Sequence, residues 1–315
     1  MNADITPYAV LEPIFRKNQE ERNQRYSNLF SSIDGRSKDK SSILKELEEN
    51  GYAIVPNFFD KVKLTSIYNR FEGFLATGEN LSAPRKLRGI NEQVYGQSIP
   101  RLTKEELQRG VASYHDLTDN VQIKDPLINC PGMLELAVND FFVDLAAAYL
   151  GGFPALTYLK CVRNFANDIK EFDTQYFHID ENAAKLIKFF VYLNDVDTEG
   201  GPFCYVKGSH KRKTEFWGKK LRWTTEEIED IFGEENVILC TAKRGDLVIA
   251  DTTGFHRGTK PVKTDRNIII INYGVHQDYT FGGKLDITSN AHRVDVGRLS
   301  PKQQAACDLL VMMDK

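Results

Sequence analysis

The stretch Gln175-Tyr176-Phe177-His178-Ile179-Asp180 sets an imidazole and a carboxylate two positions apart, and a second imidazole follows at His256. On extended backbone, residues i and i+2 share a face, so His178 and Asp180 point together and Ile179 points away. One neutral imidazole and one carboxylate can take adjacent corners of an octahedral ion, and a histidine from another strand can take the third. Two histidines and one carboxylate form the facial ligand set of non-haem Fe(II), which leaves the opposite positions open. Arg266 lies ten residues past His256. It is a cation of fixed charge at which a dicarboxylate could dock. Alternatives stay open on the residues alone. A His-x-Asp spacing also suits a surface ion pair, and the same ligand types bind catalytic zinc, although the chain has no HExxH motif. Arg266 also reads as a surface residue ahead of a buried strand.

These groups need strands to hold them, and the second half of the chain supplies the pattern. Strands are expected over residues 155–162, 174–180, 185–193, 203–206, 237–242, 246–250 and 267–273, with turn chemistry at Asp197-Thr198-Glu199-Gly200-Gly201-Pro202. Along 185–193, Ile187, Phe189, Val191 and Leu193 form an apolar face suited to packing under helices. Lys188, Phe190, Tyr192 and Asn194 form a mixed face suited to a barrel interior. Lys188 and Tyr192 are therefore candidates to bind a co-substrate carboxylate. A core tyrosine with an outward-snorkelling lysine fits as well.

Helices bracket the strands. One is expected from Ser42 as N-cap through Ile43, Leu44 and Leu47 to Gly51. A second follows Asp60, with Leu64, Ile67, Phe71 and Leu75 on one face. A third spans 133–149 and ends at Gly151-Gly152. Thr224 with Glu227 forms a capping box for an inserted helix that stops at Gly233, and Ser300-Pro301 opens a last one. Residues 78–128 have no clear period and read as a long irregular region. The expected organisation is a polar arm over 1–41, a domain over 42–280, and a C-terminal segment with a helix over 281–315. The expected class is mainly β with helices (α+β), a sandwich or jelly roll with a helical layer outside.

The chain has 315 residues, with 41% hydrophobic and 27% charged content and a net charge of −3. This is ordinary for a globular protein and favours neither nucleic acid nor an anionic membrane as partner. Cys130, Cys161, Cys204, Cys240 and Cys307 are scattered singly, which reads as five reduced thiols. No basic region followed by an apolar run opens the chain, and no 18-residue apolar stretch occurs, so the expectation is a cytoplasmic protein acting on a small molecule.

Several of these stretches together resemble the phytanoyl-CoA dioxygenase family. They are Glu49 to Phe59, Phe177 to Asp180, Lys188 to Asp197, Gly200-Gly201-Pro202, Val206-Lys207-Gly208-Ser209-His210, and Gly245 to Gly258. The resemblance implies a double-stranded β-helix (cupin-like) with His178, Asp180 and His256 as ligands to Fe(II). It implies 2-oxoglutarate and O2 as co-substrates, with Arg266 on the far carboxylate and succinate and CO2 as products. Related halogenases replace the carboxylate with a small residue, so Asp180 favours hydroxylation. Some members carry a hydroxyl two positions after the distal histidine. This chain has Gly258 there and Thr259 next, which makes Thr259 a candidate for a secondary co-substrate contact.

The substrate would be set by the loops at 78–128 and 211–235. Tyr114-His115-Asp116 and Arg85-Lys86-Leu87-Arg88 could touch an anionic substrate but read first as solvated loop residues. His210, His276 and His292 read as solvated or hydrogen-bonded. Two non-oxidative readings compete: a β-helix binding module, and a metal-assisted hydrolase or isomerase of cupin type.

Overall fold

A computed structural model of the chain describes residues 7–30, 38–84, 101–167, 173–276 and 294–311. Ten strands are present among the described residues: β1 Tyr52–Val55, β2 Leu81–Ser82, β3 Asn120–Ile123, β4 Ala155–Asn164, β5 Ile187–Tyr192, β6 Phe203–Val206, β7 Val237–Cys240, β8 Leu247–Ala250, β9 His256–Gly258 and β10 Arg266–Gly274. They form a seven-stranded sheet in the order β1-β8-β5-β10-β4-β3-β2 and a three-stranded sheet in the order β7-β6-β9. All pairings are antiparallel. The two sheets face each other as a double-stranded β-helix with helices layered outside the larger one.

Strand alternation assigns each side chain to a layer. Phe189, Val191, Ile269, Ile271 and Tyr273 leave the larger sheet on its outer face and join the helices in one core. There Phe189 stacks on Phe142 of the Asp140–Leu150 helix, centroids 4.2 Å apart. Phe190, Tyr192, Val248 and Ile268 point the other way and meet Phe203 and Tyr205 of the smaller sheet. Phe190 and Phe203 stack at 4.3 Å. A third cluster, with Ile179, Cys204, Val206, Phe216, Ile228 and Phe255, covers the outside of the smaller sheet. The mixed face read along 185–193 is thus the interior one, and Ile179 points away from it.

Local chemistry starts and stops the helices as the sequence suggests. Asp60 accepts from the Val62 amide at 2.9 Å to open Lys61–Thr77, which buries Leu64, Ile67, Phe71 and Leu75. Capping boxes at Thr224/Glu227 and Ser300/Gln303 open Thr225–Phe232 and Pro301–Ala306. Gly51 ends Lys38–Asn50 with φ +84°, and a Cβ there would lie 2.5 Å from His210 Nδ1.

Several elements differ from the sequence reading. The segment read as a polar arm or loose helix outside the core holds the helix Tyr8–Arg25, which joins the core through buried Leu11, Phe15 and Arg22. Its apolar positions are too few to stand out, and an arginine completes the packed face. The helix before Gly51 starts at Lys38, so Ser42 lies inside it. The 133–149 helix is broken into Met133–Ala137 and Asp140–Leu150 because Asn139 caps the second piece, accepting from Phe142 N at 3.1 Å.

The region expected to be irregular carries β2, β3 and the short helices Lys104–Leu107, Val111–Leu117 and Pro126–Asn129. Tyr114, read as a loop residue, is fully buried and donates its hydroxyl to the Leu107 carbonyl, with the Leu75 carbonyl 3.5 Å away. His115 is half-buried against Phe165, with Nδ1 2.9 Å from Ala166 O. Arg85 to Arg88 and His292 lie outside the described residues. All five cysteines are free and buried. Among the described residues no helix is long and apolar enough to cross a membrane.

Candidate metal centre

Residues 174–180 do not form the regular strand expected of them. A short 3-10 turn, Asp173–Gln175, leads into two isolated antiparallel bridges, Phe177 with Trp223 and His178 with His256. The second bridge extends the smaller sheet past β9 and fixes both ligands at once. His178 N donates to His256 O and His256 N to His178 O, each at 3.0 Å. The two rings stand 4.3 Å apart. Asp180 N donates to Thr252 O at 2.9 Å, which locks the carboxylate beside them. One ligand atom from each of His178, Asp180 and His256 lies within 4.8 Å of the others.

The donor set fits a divalent metal ion. Nδ1 of His178 is 3.0 Å from Tyr176 O, and Nδ1 of His256 is 3.0 Å from Gly254 O. A carbonyl only accepts, so each Nδ1 carries the proton and each Nε2 keeps its lone pair for a metal. Burial pulls His178 down to about 4, helped by Arg222 and opposed by Asp180. Burial pulls His256 down to about 3, helped by His178. Both rings are therefore neutral at ordinary pH, the form that ligates. Burial alone would raise the Asp180 carboxyl, but the adjacent Lys188 ammonium reverses this and holds it below the usual carboxylate range. Lys188 Nζ sits 2.5 Å from Asp180 Oδ2, and the Thr252 hydroxyl donates to the same oxygen.

The turn that delivers His256 is built on Asp251, which lies in the Gly245 to Gly258 stretch. Its carboxylate accepts from the Thr253 amide and hydroxyl at 3.0 and 2.6 Å and from Tyr149 Oη at 2.7 Å. Its backbone carbonyl accepts from Tyr205 Oη at 2.8 Å. Ser209 Oγ accepts from the Phe255 amide at 2.7 Å. Gly254 is packed so closely that a Cβ would press into Tyr205 Oη and lie 2.7 Å from Ser209 Oγ. His210 lies in this support, with Nε2 3.2 Å from Glu48 O. The turn Asp251-Thr252-Thr253-Gly254 is contiguous in sequence, but the partners that fix it come from distant segments.

The larger sheet places the other candidates by register. Lys188 pairs with Asn272, which pairs with Tyr158. This row is the metal end of the interior, and the Lys188 ammonium stands 5.8 Å from the Tyr158 ring. At the other end Arg266 pairs with Asn164, which pairs with Asn120. Arg266 is buried, and its guanidinium donates to Gly201 O, to Thr259 O at 3.4 Å, and to Asn164 Oδ1 at 3.0 Å. Burial lowers its pKa, although a guanidinium stays charged.

The Tyr192 hydroxyl is taken by Cys240 O at 3.3 Å and by the Phe203 amide at 3.0 Å. Burial pushes its pKa up to about 12, offset in part by Arg266. The Thr259 hydroxyl donates to Pro202 O at 2.5 Å. At Gly258, on the same face as His256, a Cβ would lie in tight contact, 3.3 Å, with Arg266 Nη2. A cleft of about 150 Å³ opens here, walled by Asn120, Asn164, Thr174, Gln175, Gly258 and Arg266 among others. Sequence reasoning gave no role to Asn164, which stands in none of the motifs, or to Asp251 and Thr252, which lie in the Gly245 to Gly258 stretch but whose partners come from elsewhere in the chain.

A double-stranded β-helix with His-x-Asp and a distal histidine facing its interior defines a class of metal-centred enzyme folds. The sequence matches the phytanoyl-CoA dioxygenase (PhyH) family over residues 47–267, and the chain belongs to that family. The fold is shared with crystal structures of SnoN. One, the epimerase in complex with Fe3+, alpha ketoglutarate and nogalamycin RO, gives a TM-score of 0.52 at 17% identity over 74% of this chain and 82% of that one. Another, the non-heme alpha ketoglutarate dependent epimerase from nogalamycin biosynthesis, gives 0.51 at 15% identity over 77% and 86%. The carbocyclase SnoK, also from nogalamycin biosynthesis, gives 0.49 at 17% identity over 86% and 93%. No match is found among curated protein sequences.

Proposed function

We propose that this protein is an Fe(II)- and 2-oxoglutarate-dependent dioxygenase that consumes O2, hydroxylates a small or medium-sized metabolite, and releases succinate and CO2. The observation that carries this reading is that one ligand atom from each of His178, Asp180 and His256 lies within 4.8 Å of the others, in a fold whose opposite sheet carries a buried Arg266. A hydrolytic zinc site would need the three ligands but no cation for a co-substrate carboxylate.

When bound, the iron would supply the redox chemistry that couples O2 reduction to oxidative decarboxylation of 2-oxoglutarate and to oxidation of the substrate. His178 and His256 would hold it through Nε2, and Asp180 through its carboxylate. Lys188 and Thr252 keep Asp180 turned toward the imidazoles, and Lys188 is the cation available to a carboxylate at the metal end. Arg266 would bind the far carboxylate. Tyr192, beside the guanidinium, and Thr259, whose carbonyl it touches, support that cation from the protein side. The Phe190–Phe203 stack gives the interior between the two sheets an apolar lining.

The fold does not choose the substrate or the outcome, since SnoN uses it for epimerisation. Hydroxylation is proposed because Asp180 retains the full ligand set.

Anaerobic titration with Fe(II) and then 2-oxoglutarate tests the reading. A weak visible charge-transfer band that Arg266→Ala abolishes is the expected result. Iron bound without a band would reject the co-substrate, and failure to bind iron would reject the centre itself.

A further inference from the structure

We infer that Asn164 is a second binding residue for the far carboxylate of the dicarboxylate co-substrate, acting beside Arg266 across the gap left by Gly258. The inference rests on the reading of Arg266 as the co-substrate clamp and asks how that clamp works in this chain.

A guanidinium has five N–H donors, and a carboxylate is gripped best by two parallel ones. Here the protein itself uses four. Nε donates to Asn164 Oδ1 at 3.3 Å, and Nη2 donates to the same oxygen at 3.0 Å. Nη1 donates to Gly201 O and to Thr259 O. One N–H remains, on Nη2, the nitrogen that a Cβ at position 258 would crowd. Arg266 alone therefore cannot offer a two-pronged grip without giving up a contact that positions it.

Asn164 supplies the missing prong. Arginine only donates, so the asparagine must turn its oxygen toward Arg266, and its Nδ2 with two N–H groups is directed away from the guanidinium. Asn164 also walls the cleft that Arg266 and Gly258 line. The remaining Nη2–H and an Nδ2–H thus come from neighbouring groups on adjacent strands, in direct register between β4 and β10. A side chain at 258 would stand against this pair, which is a physical reason for glycine where a hydroxyl residue could have served.

Binding without turnover provides the test. The full chain is loaded with Mn(II), and 2-oxoglutarate and 2-oxobutanoate are titrated calorimetrically into the wild type, Asn164→Asp and Asn164→Leu. Asp keeps an acceptor for Arg266 but replaces the N–H donor with a negative charge, so the uncharged Leu is needed beside it to separate loss of the donor from charge repulsion. Leu removes both. Thermal unfolding of each variant verifies that it folds.

The expected result is Mn(II) affinity within about twofold of wild type, 2-oxoglutarate affinity lower by about tenfold or more in both variants, and unchanged binding of 2-oxobutanoate, which lacks the far carboxylate. Undiminished 2-oxoglutarate affinity in Asn164→Asp would overturn the inference, as would an equal loss for 2-oxobutanoate. A wild type that binds Mn(II) but no 2-oxoglutarate would instead overturn the co-substrate reading, before any variant is compared.

Discussion

Both imidazoles of the centre are oriented by the same local device, an Nδ1–H donated to the carbonyl two residues earlier, Tyr176 for His178 and Gly254 for His256. The device fixes ring and tautomer together, so each Nε2 is presented as a metal donor by the backbone alone. Replacing His178 or Asp180 with Ala should therefore abolish binding of Mn(II) measured by calorimetry while leaving the fold intact. Retained binding would remove that residue from the ligand set.

Gly254 makes a sharper test of how narrowly the distal histidine is held. A Cβ there would drive Tyr205 and Ser209 off the turn. Gly254→Ala should cost about 1–3 kcal/mol of stability, the usual penalty for overpacking, and weaken metal binding at least tenfold. Normal metal affinity in this variant would show that the turn tolerates displacement. Arg266→Ala should raise the 2-oxoglutarate requirement sharply with Mn(II) affinity unchanged, and an unaltered requirement would mean that another residue holds the carboxylate.

Among the elements, the Tyr8–Arg25 helix shows how far the centre is from the means that stabilise the molecule. Arg22 is buried. It donates to Phe153 O at 2.7 Å and Pro154 O at 3.0 Å, and it pairs with Asp308 at 2.8 Å. One side chain thus ties the N-terminal helix to the entry of β4 and to the C-terminal helices. Removing one partner of a buried pair costs about 3–5 kcal/mol when the other charge is left uncompensated. Asp308 would keep the Tyr26 hydroxyl at 2.6 Å and the exposed Arg25 at 3.7 Å. Arg22→Met should therefore lower stability by about 3 kcal/mol, the lower end of that range, in denaturant unfolding, with Mn(II) affinity in the folded protein unchanged. Equal stability would show that Tyr26 and Arg25 suffice to compensate Asp308. The same element marks a limit of reading from sequence. A helix that packs through Leu11, Phe15 and an arginine has too little apolar contrast to announce its buried face.

For the whole molecule, the centre joins the His178–Asp180 segment to β9, with β5 tied to it through the Lys188–Asp180 ion pair. A metal bound only by the folded state adds stability as its concentration exceeds Kd, by about 2.7 kcal/mol at a hundredfold excess. Mn(II) should accordingly raise Tm, excess chelator should reverse the rise, and the His178→Ala protein should show neither effect. An equal Tm shift in that variant would place the stabilising metal elsewhere.

The sequence by itself determined what is local. The i, i+2 spacing of His178 and Asp180, the alternation along β5, the capping residues Asp60, Thr224 and Ser300, and the glycine at position 51 each act within a few residues. Their physics is legible without the fold, and the family resemblance extended that reading to the architecture. Tertiary structure decided what depends on register between distant strands. Asn164 meets Arg266 only because β4 and β10 align as they do, Asp251 anchors the metal turn only because Tyr149 and Tyr205 reach it, and Tyr114 is core rather than loop because Leu107 and Leu75 offer their carbonyls. Polar side chains such as Asn164 and Thr252 suit solvent as well as a buried site, and only the partners brought to them by folding give them a task.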